Sequence, residues 1–162
     1  MDSAQNSKEI LFRKLSEIEL LVRDIYLRFS ELFEEDRDFW WRLAIEEGDH
    51  SSLILAGMET FEPMHLFPEE VKAFSIDELD ESIARKKELL DQVKRPSCSM
   101  SREEALRYSA AMEMSDIERC FQLLMEEVDD ESRERQLFQR LNRDSAEHGR
   151  RIFARIKDLE TK

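Results

Sequence analysis

Apolar side chains recur at intervals of three and four residues along this 162-residue chain. That spacing places them on one face of an α-helix, whereas a half-buried strand would alternate. Glycine and proline, which interrupt helices, number only three each. A chain of this length can also bury a substantial core. These features predict an all-α fold and a single domain over residues 1–162.

Breaks in the apolar spacing divide the chain into five predicted helices. Their approximate ranges are 7–33, 37–60, 76–94, 101–128 and 133–159. Short acidic breaks at 34–36 and 129–132 predict two antiparallel hairpins. Ser101 and Glu104 have the spacing of a capping box at the start of the fourth helix. The third helix is strongly charged and less apolar, so we expect it on the outside or at the end of a bundle.

Charge and cysteine content exclude several classes of partner and site. Acidic residues outnumber basic ones by 38 to 25, which argues against nucleic acid or an anionic membrane as partner. No run approaches the roughly 18 apolar residues of a membrane span, and the N-terminus lacks a signal-peptide pattern. We therefore expect a cytoplasmic protein. The two cysteines, Cys98 and Cys120, are too far apart in sequence for a rubredoxin-type iron site within the chain.

Glu47 and His50 form a polar spot on the apolar face of the second predicted helix. They are three residues apart, so both side chains point the same way. Leu43 and Ile54 flank them on the same stripe. Burying a carboxylate there without a partner would cost several kcal/mol. A cation held between helices would remove that cost.

Other metal-competent side chains lie at matching heights on the other helices. Glu19 borders the first apolar stripe, fourteen residues before the predicted end of its helix, and Glu47 follows the next break by eleven residues. At about 1.5 Å per residue, the two carboxylates lie roughly 21 and 17 Å from their common turn. Glu113 and His148 are each fifteen residues from the turn of the second hairpin. The spacing therefore predicts carboxylates and imidazoles at mid-height on both hairpins.

Inward carboxylates on four helices, with Glu-x-x-His motifs on two of them, are the design of di-iron and di-manganese bundles. The sequence resembles the ferritin-like superfamily, and within it the rubrerythrin-related group, over nearly the whole chain. This resemblance implies a four-helix bundle with an additional helix in the crossover between bundle helices 2 and 3. It implies that Glu47 and Glu113 bridge the metal ions. The terminal ligands would be Glu19, His50 and His148.

One position departs from the family's pattern. Ser145 stands three residues before His148, where the second motif requires glutamate. Glu147 points about 100° away from His148, so it cannot simply take the place of the missing glutamate. Asp144, four residues before His148, is a shorter and displaced substitute. Without Asp144, three carboxylates and two histidines suffice for one metal ion and are marginal for two.

Mixed carboxylate and imidazole ligands suit iron or manganese that changes oxidation state while dioxygen or hydrogen peroxide is reduced. The predicted function is therefore a metal-binding, di-iron ferritin-like oxidoreductase acting on peroxide or dioxygen, or an iron-handling protein. Manganese or another divalent metal is the alternative to iron. The rival prediction is a non-catalytic helical bundle with a degenerate site, serving as a binding or assembly module. Ser145 favours that rival, whereas five ligand-type residues at one height favour the metal site.

Three further predictions concern the surroundings of this site. Tyr26, two turns from Glu19 on the same face, either hydrogen-bonds a ligand, donates an electron or is plain packing. Because the chain lacks a rubredoxin-type site, turnover would need a separate electron donor. Several apolar side chains are additional to those on the apolar faces of the four bundle helices. They either cover the crossover or form a homodimer face. They are Trp41, Phe61, Phe67 and Phe74.

Overall fold

Five α-helices and one short 3-10 turn account for the regular structure of the described residues. The computed structural model describes residues 3–61, 76–114 and 133–161. These ranges contain no strand, and the all-α prediction is confirmed. The chain divides into two compact units, unit 1 over Met1–Cys98 and unit 2 over Ser99–Lys162. The prediction of one domain over 1–162 stays a prediction.

The helix bounds follow the apolar spacing closely. In unit 1, α1 is Ser3–Leu32, α2 is Arg37–Phe61 and α3 is Ile76–Lys94; in unit 2, α4 is Arg102–Glu113 and α5 is Arg133–Glu160. The largest difference from prediction at a described end is four residues, at the start of α1. The predicted continuation of the fourth helix to Val128, the connection over 62–75 and the turn at 129–132 lie outside the described residues. None of the described helices has an apolar stretch long enough to cross a membrane.

α1 and α2 form a hairpin joined by one 3-10 turn at Glu34–Asp36. Their facing sides bury an apolar seam, as the three-four spacing predicts. The apolar residues buried on the two helices are Leu11, Phe12, Leu15, Ile18, Val22, Ile25, Tyr26 and Phe29 of α1, and Trp40, Leu43, Ala44 and Ile54 of α2. Each large side chain in such a seam contributes roughly 1.5–3 kcal/mol by leaving water. The seam fixes the axial rotation of both helices and thus decides which polar residues face inward.

α3 packs against α1 through a narrower apolar stripe with ion pairs beside it. The stripe consists of Leu79, Ile83, Leu89, Leu90 and Val93. Lys14 of α1 pairs with Asp80 of α3. Glu17 pairs with Lys87 at 2.7 Å. Because exposed ion pairs contribute little, the apolar stripe carries most of the energy that holds α3 in place.

α4 begins at the capping box that the sequence predicts. The Ser101 hydroxyl accepts a hydrogen bond from the backbone N–H of Glu104 at 3.2 Å. In return, the Glu104 carboxylate accepts one from the backbone N–H of Ser101 at 2.7 Å. These bonds lower the pKa of Glu104. Two N–H groups that the first helical turn leaves without partners are satisfied in this way.

α4 and α5 pack antiparallel within unit 2. In the middle of α4, Arg107 contacts Glu160, the last residue of α5, at 3.5 Å. At the end of α4, Glu113 meets His148 in the middle of α5. Among the residues of the two helices whose burial is described, the buried apolar ones are Ala105, Leu106 and Ala110 of α4, and Leu141, Ile152 and Ile156 of α5. This pairing is what brings an acidic and an imidazole side chain together in unit 2.

Candidate metal centre

Glu19, Glu47 and His50 form a buried polar cluster in unit 1, which we call the unit 1 cluster. Their exposed fractions are 6%, 2% and 3%. The Nδ1 atom of His50 lies 3.0 Å from Oε2 of Glu47 and 3.9 Å from Oε2 of Glu19. α1 supplies one member and α2 supplies two. The structure thus brings together three of the residues that the sequence predicts as ligands.

Helix geometry and the apolar seam explain why these three side chains meet. Glu47 and His50 are one turn apart on the face of α2 that packs on α1. Leu43 and Ile54, one turn to either side along that face, are both completely buried. Glu19 reaches the same level from α1 because the hairpin turn is short. The carboxylates and the imidazole therefore share an environment with little water, where uncompensated charge is costly.

Burial and mutual interaction shift the pKa values of this cluster. Burial and, next, the negative charge of Glu47 raise the pKa of Glu19 to about 8, against a smaller lowering effect of His50. Burial lowers the pKa of His50, but its interactions with Glu19 and Glu47 outweigh that effect and raise it to about 10. At neutral pH, without metal, Glu19 is therefore neutral and His50 is positively charged. Protons supply the compensating charge that a metal ion would otherwise provide.

The metal-free protein is expected to lose stability as the pH rises. Unfolded Glu19 ionises near 4.5 but the folded residue does so only near 8, so its contribution is full below 4.5 and is lost between these values. His50 contributes fully below 6.5 and loses its contribution as the pH rises through 10. Since one pKa unit corresponds to about 1.4 kcal/mol, even part of either shift gives a measurable loss of stability. Urea unfolding across this pH range, in the presence of a chelator, measures it.

Glu19→Gln should flatten the pH dependence between 4.5 and 6.5, because a neutral amide replaces the titrating group. Between 6.5 and 8 it should reduce the slope to the part that His50 contributes. Glu59, an exposed residue of α2, provides the matched control, and Glu59→Gln should keep the wild-type slope. An equal slope in wild type and Glu19→Gln would contradict the assignment of the shift to this carboxyl group.

A hydrogen-bonded serine pair continues the polar region by one turn. The hydroxyl oxygens of Ser16 and Ser51 are 2.7 Å apart across the α1–α2 seam, and both residues are buried. Ser16 precedes Glu19 by three residues and Ser51 follows Glu47 by four, so each shares the face of its carboxylate. Sequence reasoning missed this pair, although the same spacing rule that selects the ligands would have found it. The pair fixes the register of the two helices beside the cluster.

The side chain of Arg23, from α1, lies against α2 at Gly48, next to Glu47. A Cβ atom at Gly48 would lie 3.5 Å from the Cδ atom of Arg23, which is ordinary contact distance. The Arg23 guanidinium group pairs with Asp24 at 2.7 Å. The aliphatic part of Arg23 therefore covers the edge of the seam while its charge stays near the surface. Sequence reasoning missed this contact as well, because it depends on how the two helices cross.

Glu113 and His148 form a second acid–imidazole pair, in unit 2. The Oε1 atom of Glu113 lies 3.7 Å from Nδ1 of His148, and the two residues are 8% and 1% exposed. Gly149 lies beside Glu113, whose Cβ atom would be 4.0 Å from a Cβ at that position. Both side chains are thus buried and face each other, as their positions on the apolar stripes predict.

The residues around the departure from the Glu-x-x-His motif are more exposed. Asp144 has 31% of its side chain exposed and lies 3.6 Å from Arg140 and 3.7 Å from Arg143. Ser145 is half-buried. Glu147 is exposed and pairs with Arg150 at 2.7 Å, which agrees with the prediction that it points away from His148. The arginine contacts compete with the predicted ligand role of Asp144, which stays a prediction.

Tyr26 lies in an aromatic group toward the hairpin turn. It is completely buried, and its ring centroid is 5.4 Å from that of Trp40 and 6.5 Å from that of Phe29. These ring contacts are those of ordinary aromatic packing. The predicted roles of Tyr26 in hydrogen bonding to a ligand or in electron donation stay predictions.

No family model, curated protein or solved structure matches this chain. The resemblance to ferritin-like proteins therefore depends on the motifs quoted above. The joining of the unit 1 cluster with Glu113 and His148 in one centre, which that resemblance implies, stays a prediction.

Proposed function

We propose that this chain binds iron or manganese through buried carboxylate and imidazole side chains and acts as a ferritin-like oxidoreductase. Its substrate would be peroxide or dioxygen, with iron handling as the related role. The observation that carries the proposal is the unit 1 cluster. Three ligand-type side chains from two helices face one another inside an apolar seam. The Nδ1 atom of His50 is 3.0 Å from a carboxylate oxygen of Glu47 and 3.9 Å from one of Glu19. Purely structural side chains at such positions would ordinarily be apolar.

The chemistry of the donor set fits this class of metal. Two carboxylates and one imidazole are borderline-to-hard ligands, which suit Fe²⁺ and Mn²⁺. When bound, such a metal supplies one-electron redox chemistry toward dioxygen or peroxide. Glu19 and His50 would release their protons to become ligands. Leu43 and Ile54 would keep bulk water away from the ions.

Unit 2 contributes to the same proposal through Glu113 and His148. This pair repeats the chemistry of the unit 1 cluster, one carboxylate beside one imidazole, at a buried position. In the proposal these residues supply the remaining ligands, in the roles that the ferritin-like resemblance implies. Asp144 would complete the set only after leaving its arginine neighbours.

Metal analysis of protein loaded with ferrous iron under anaerobic conditions tests the proposal. Wild-type protein should retain one or two metal ions per chain after desalting, as its ligand number allows. Glu47→Ala and His148→Ala should each lower the metal content and the consumption of oxygen or peroxide. Two exposed neighbours provide matched controls, and Asp49→Ala and Glu147→Ala should leave both quantities unchanged.

Unchanged metal content and unchanged oxidant consumption in both ligand variants would show that the site assignment is wrong. Loss in Glu47→Ala alone would restrict the site to unit 1.

A second candidate function is a non-catalytic bundle that serves as a binding or assembly module. The observation favouring it is that the unit 1 cluster is already compensated by protons, with His50 and Glu47 at hydrogen-bond distance. Ser145 in place of the expected glutamate points the same way. If no metal is retained by wild-type protein after loading with iron or manganese, this candidate is favoured.

A further inference from the structure

An apolar stripe, which we call the outer stripe, runs along the exposed side of α2. Trp41 has 53% of its surface exposed and Ile45 has 47%. Gly48 and Leu55 are half-buried, and Ser52 between them is exposed. Trp41, Gly48 and Leu55 follow one another at intervals of seven residues, so they lie within about 20° of one line along the helix. Large apolar side chains grouped in this way on a surface are typical of an interaction site.

The outer stripe is symmetric about Gly48 and continues into opposite charges at its two ends. Trp41 and Leu55 are each seven residues from Gly48. Arg37 and Glu59 are each eleven residues from it, or about three helical turns, and both are exposed. A second copy that runs in the opposite direction therefore places its negative end beside the positive end of the first. A surface of this kind is complementary to itself.

α1 widens this surface beyond a single helix. Leu20 and Leu27 are half-buried and seven residues apart, so they share one face of α1. Arg23 lies between them, and its aliphatic part reaches α2 at Gly48. The guanidinium group of Arg23 pairs with Asp24 at 2.7 Å, so it brings no uncompensated charge to the surface. The two helices together therefore present one continuous face.

The size of this face and the charge of the chain set the strength of association that we expect. Two neighbouring helices of this length offer roughly 30 by 20 Å, or about 600 Å² per copy. Stable specific interfaces bury about 800 Å² per partner. The formal net charge of -13 on each chain also opposes association. The surface therefore suits a weak, reversible dimer.

We propose that two copies of this chain pair in antiparallel orientation through the outer stripe, with Gly48 at the two-fold axis. The absence of a side chain at Gly48 lets the two α2 helices approach closely at that point. Trp41 packs on the partner's Leu55, and Arg37 pairs with the partner's Glu59. Symmetry makes each of these contacts twice. The inference does not depend on the proposed metal-binding function.

The pairing of Arg37 within its own chain leaves it available for this contact. Its guanidinium group is 3.8 Å from Glu34, and the two side chains are 58% and 87% exposed. Exposed ion pairs contribute little energy, so exchange of Glu34 for the partner's Glu59 costs little.

A monomer whose outer stripe stays in water is the alternative explanation, because single exposed apolar residues are ordinary on protein surfaces. The two explanations differ in what they predict for Arg37 and Glu59. These residues are about 33 Å apart along one helix, so their charges do not interact within a monomer. In the antiparallel dimer they are direct neighbours.

Sedimentation velocity of the full chain over a range of concentrations, with a chelator present, tests the proposal. Wild-type protein should show a monomer–dimer equilibrium with a dissociation constant in the micromolar range. Trp41→Glu should weaken dimerisation by more than about tenfold, because two charges enter the apolar contact. Ile76→Glu, at an exposed apolar position at the start of α3, should leave it unchanged. Circular dichroism and thermal unfolding verify that each variant is folded.

Exchange of the charges tests the orientation. Arg37→Glu and Glu59→Arg should each weaken dimerisation by about tenfold, because both ion pairs become contacts between like charges. An equimolar mixture of the two variants should recover wild-type dimerisation, since every pair in the mixed dimer again has opposite charges. Arg42→Glu changes the net charge as Arg37→Glu does, but residue 42 is exposed about 120° around the helix from Gly48. This control should leave the dissociation constant near that of wild type.

Sedimentation as a monomer at every concentration would overturn the proposal. So would dimerisation that Trp41→Glu leaves intact, equal weakening in Arg37→Glu and Arg42→Glu, or no recovery in the mixture. If Trp41→Glu fails to fold, the charge variants, which change only exposed residues, decide the matter. Because the chelator keeps the protein free of metal, these outcomes are separate from success or failure of metal loading.

Discussion

His50→Leu in the metal-free protein is expected to lower the free energy of unfolding by about 3–5 kcal/mol at pH 8. The substitution removes the positive charge that lies 3.0 Å from Glu47 and leaves the two carboxyl groups of the unit 1 cluster buried together. Urea unfolding followed by circular dichroism, with a chelator present, measures the loss. Asp49→Leu is the matched control next to it, and its exposed position should limit the change to about 0.5 kcal/mol.

Replacing the whole cluster should reverse this loss. The triple variant E19L/E47L/H50L removes both carboxyl groups with the imidazole and fills the seam with apolar side chains. Replacement of a buried charged group by apolar residues of similar volume is often neutral or stabilising by about 1–4 kcal/mol. Such a variant should therefore be at least as stable as wild type while binding no metal. If it is as unstable as His50→Leu, the cost lies in side-chain shape rather than in charge.

The helix ends were predictable where the signals are local. Ile76–Lys94 agrees with its predicted bounds at both ends, because apolar spacing begins at one end and Pro96 follows the other. Ser101 and Glu104 form the predicted capping box, since the motif needs only residues three apart. At the start of α1 the prediction was four residues short, because the polar residues there continue the helix without contributing apolar spacing.

The inward positions of the ligand-type residues were predictable for a related reason. Glu47 and His50 interrupt an apolar stripe at helical spacing, and the hairpin length sets the level of Glu19. The contact between Arg23 and Gly48 was not predictable in this way. It depends on the angle and distance at which α1 and α2 cross, which side-chain packing sets.

The competition at Asp144 could not be read from helical spacing either. Residue 144 lies on the side of α5 that includes His148, so spacing alone allows it as a ligand. Arg140 is one turn away and Arg143 is adjacent, and both contact its carboxylate. Ion pairing with neighbours on the same helix and metal ligation use the same oxygens. Only the side-chain positions show that the arginines are close enough to compete.

Metal affinity is expected to depend steeply on pH, because the cluster must give up protons to bind. Below pH 8 both Glu19 and His50 hold a proton in the metal-free protein, and between 8 and 10 His50 alone does. Ligands bind metal in their deprotonated forms. The apparent affinity for Mn²⁺ should therefore rise by up to about a hundredfold per pH unit below 8 and by about tenfold per unit between 8 and 10.

Anaerobic calorimetry in two buffers of different ionisation enthalpy counts the protons released when Mn²⁺ binds. Below pH 8, Glu19→Gln should reduce that number from two to one. The control Asp49→Ala should leave it at two. Binding of Mn²⁺ without proton release would mean that the ion binds elsewhere, since a cluster held together by protons cannot accept a cation and keep them.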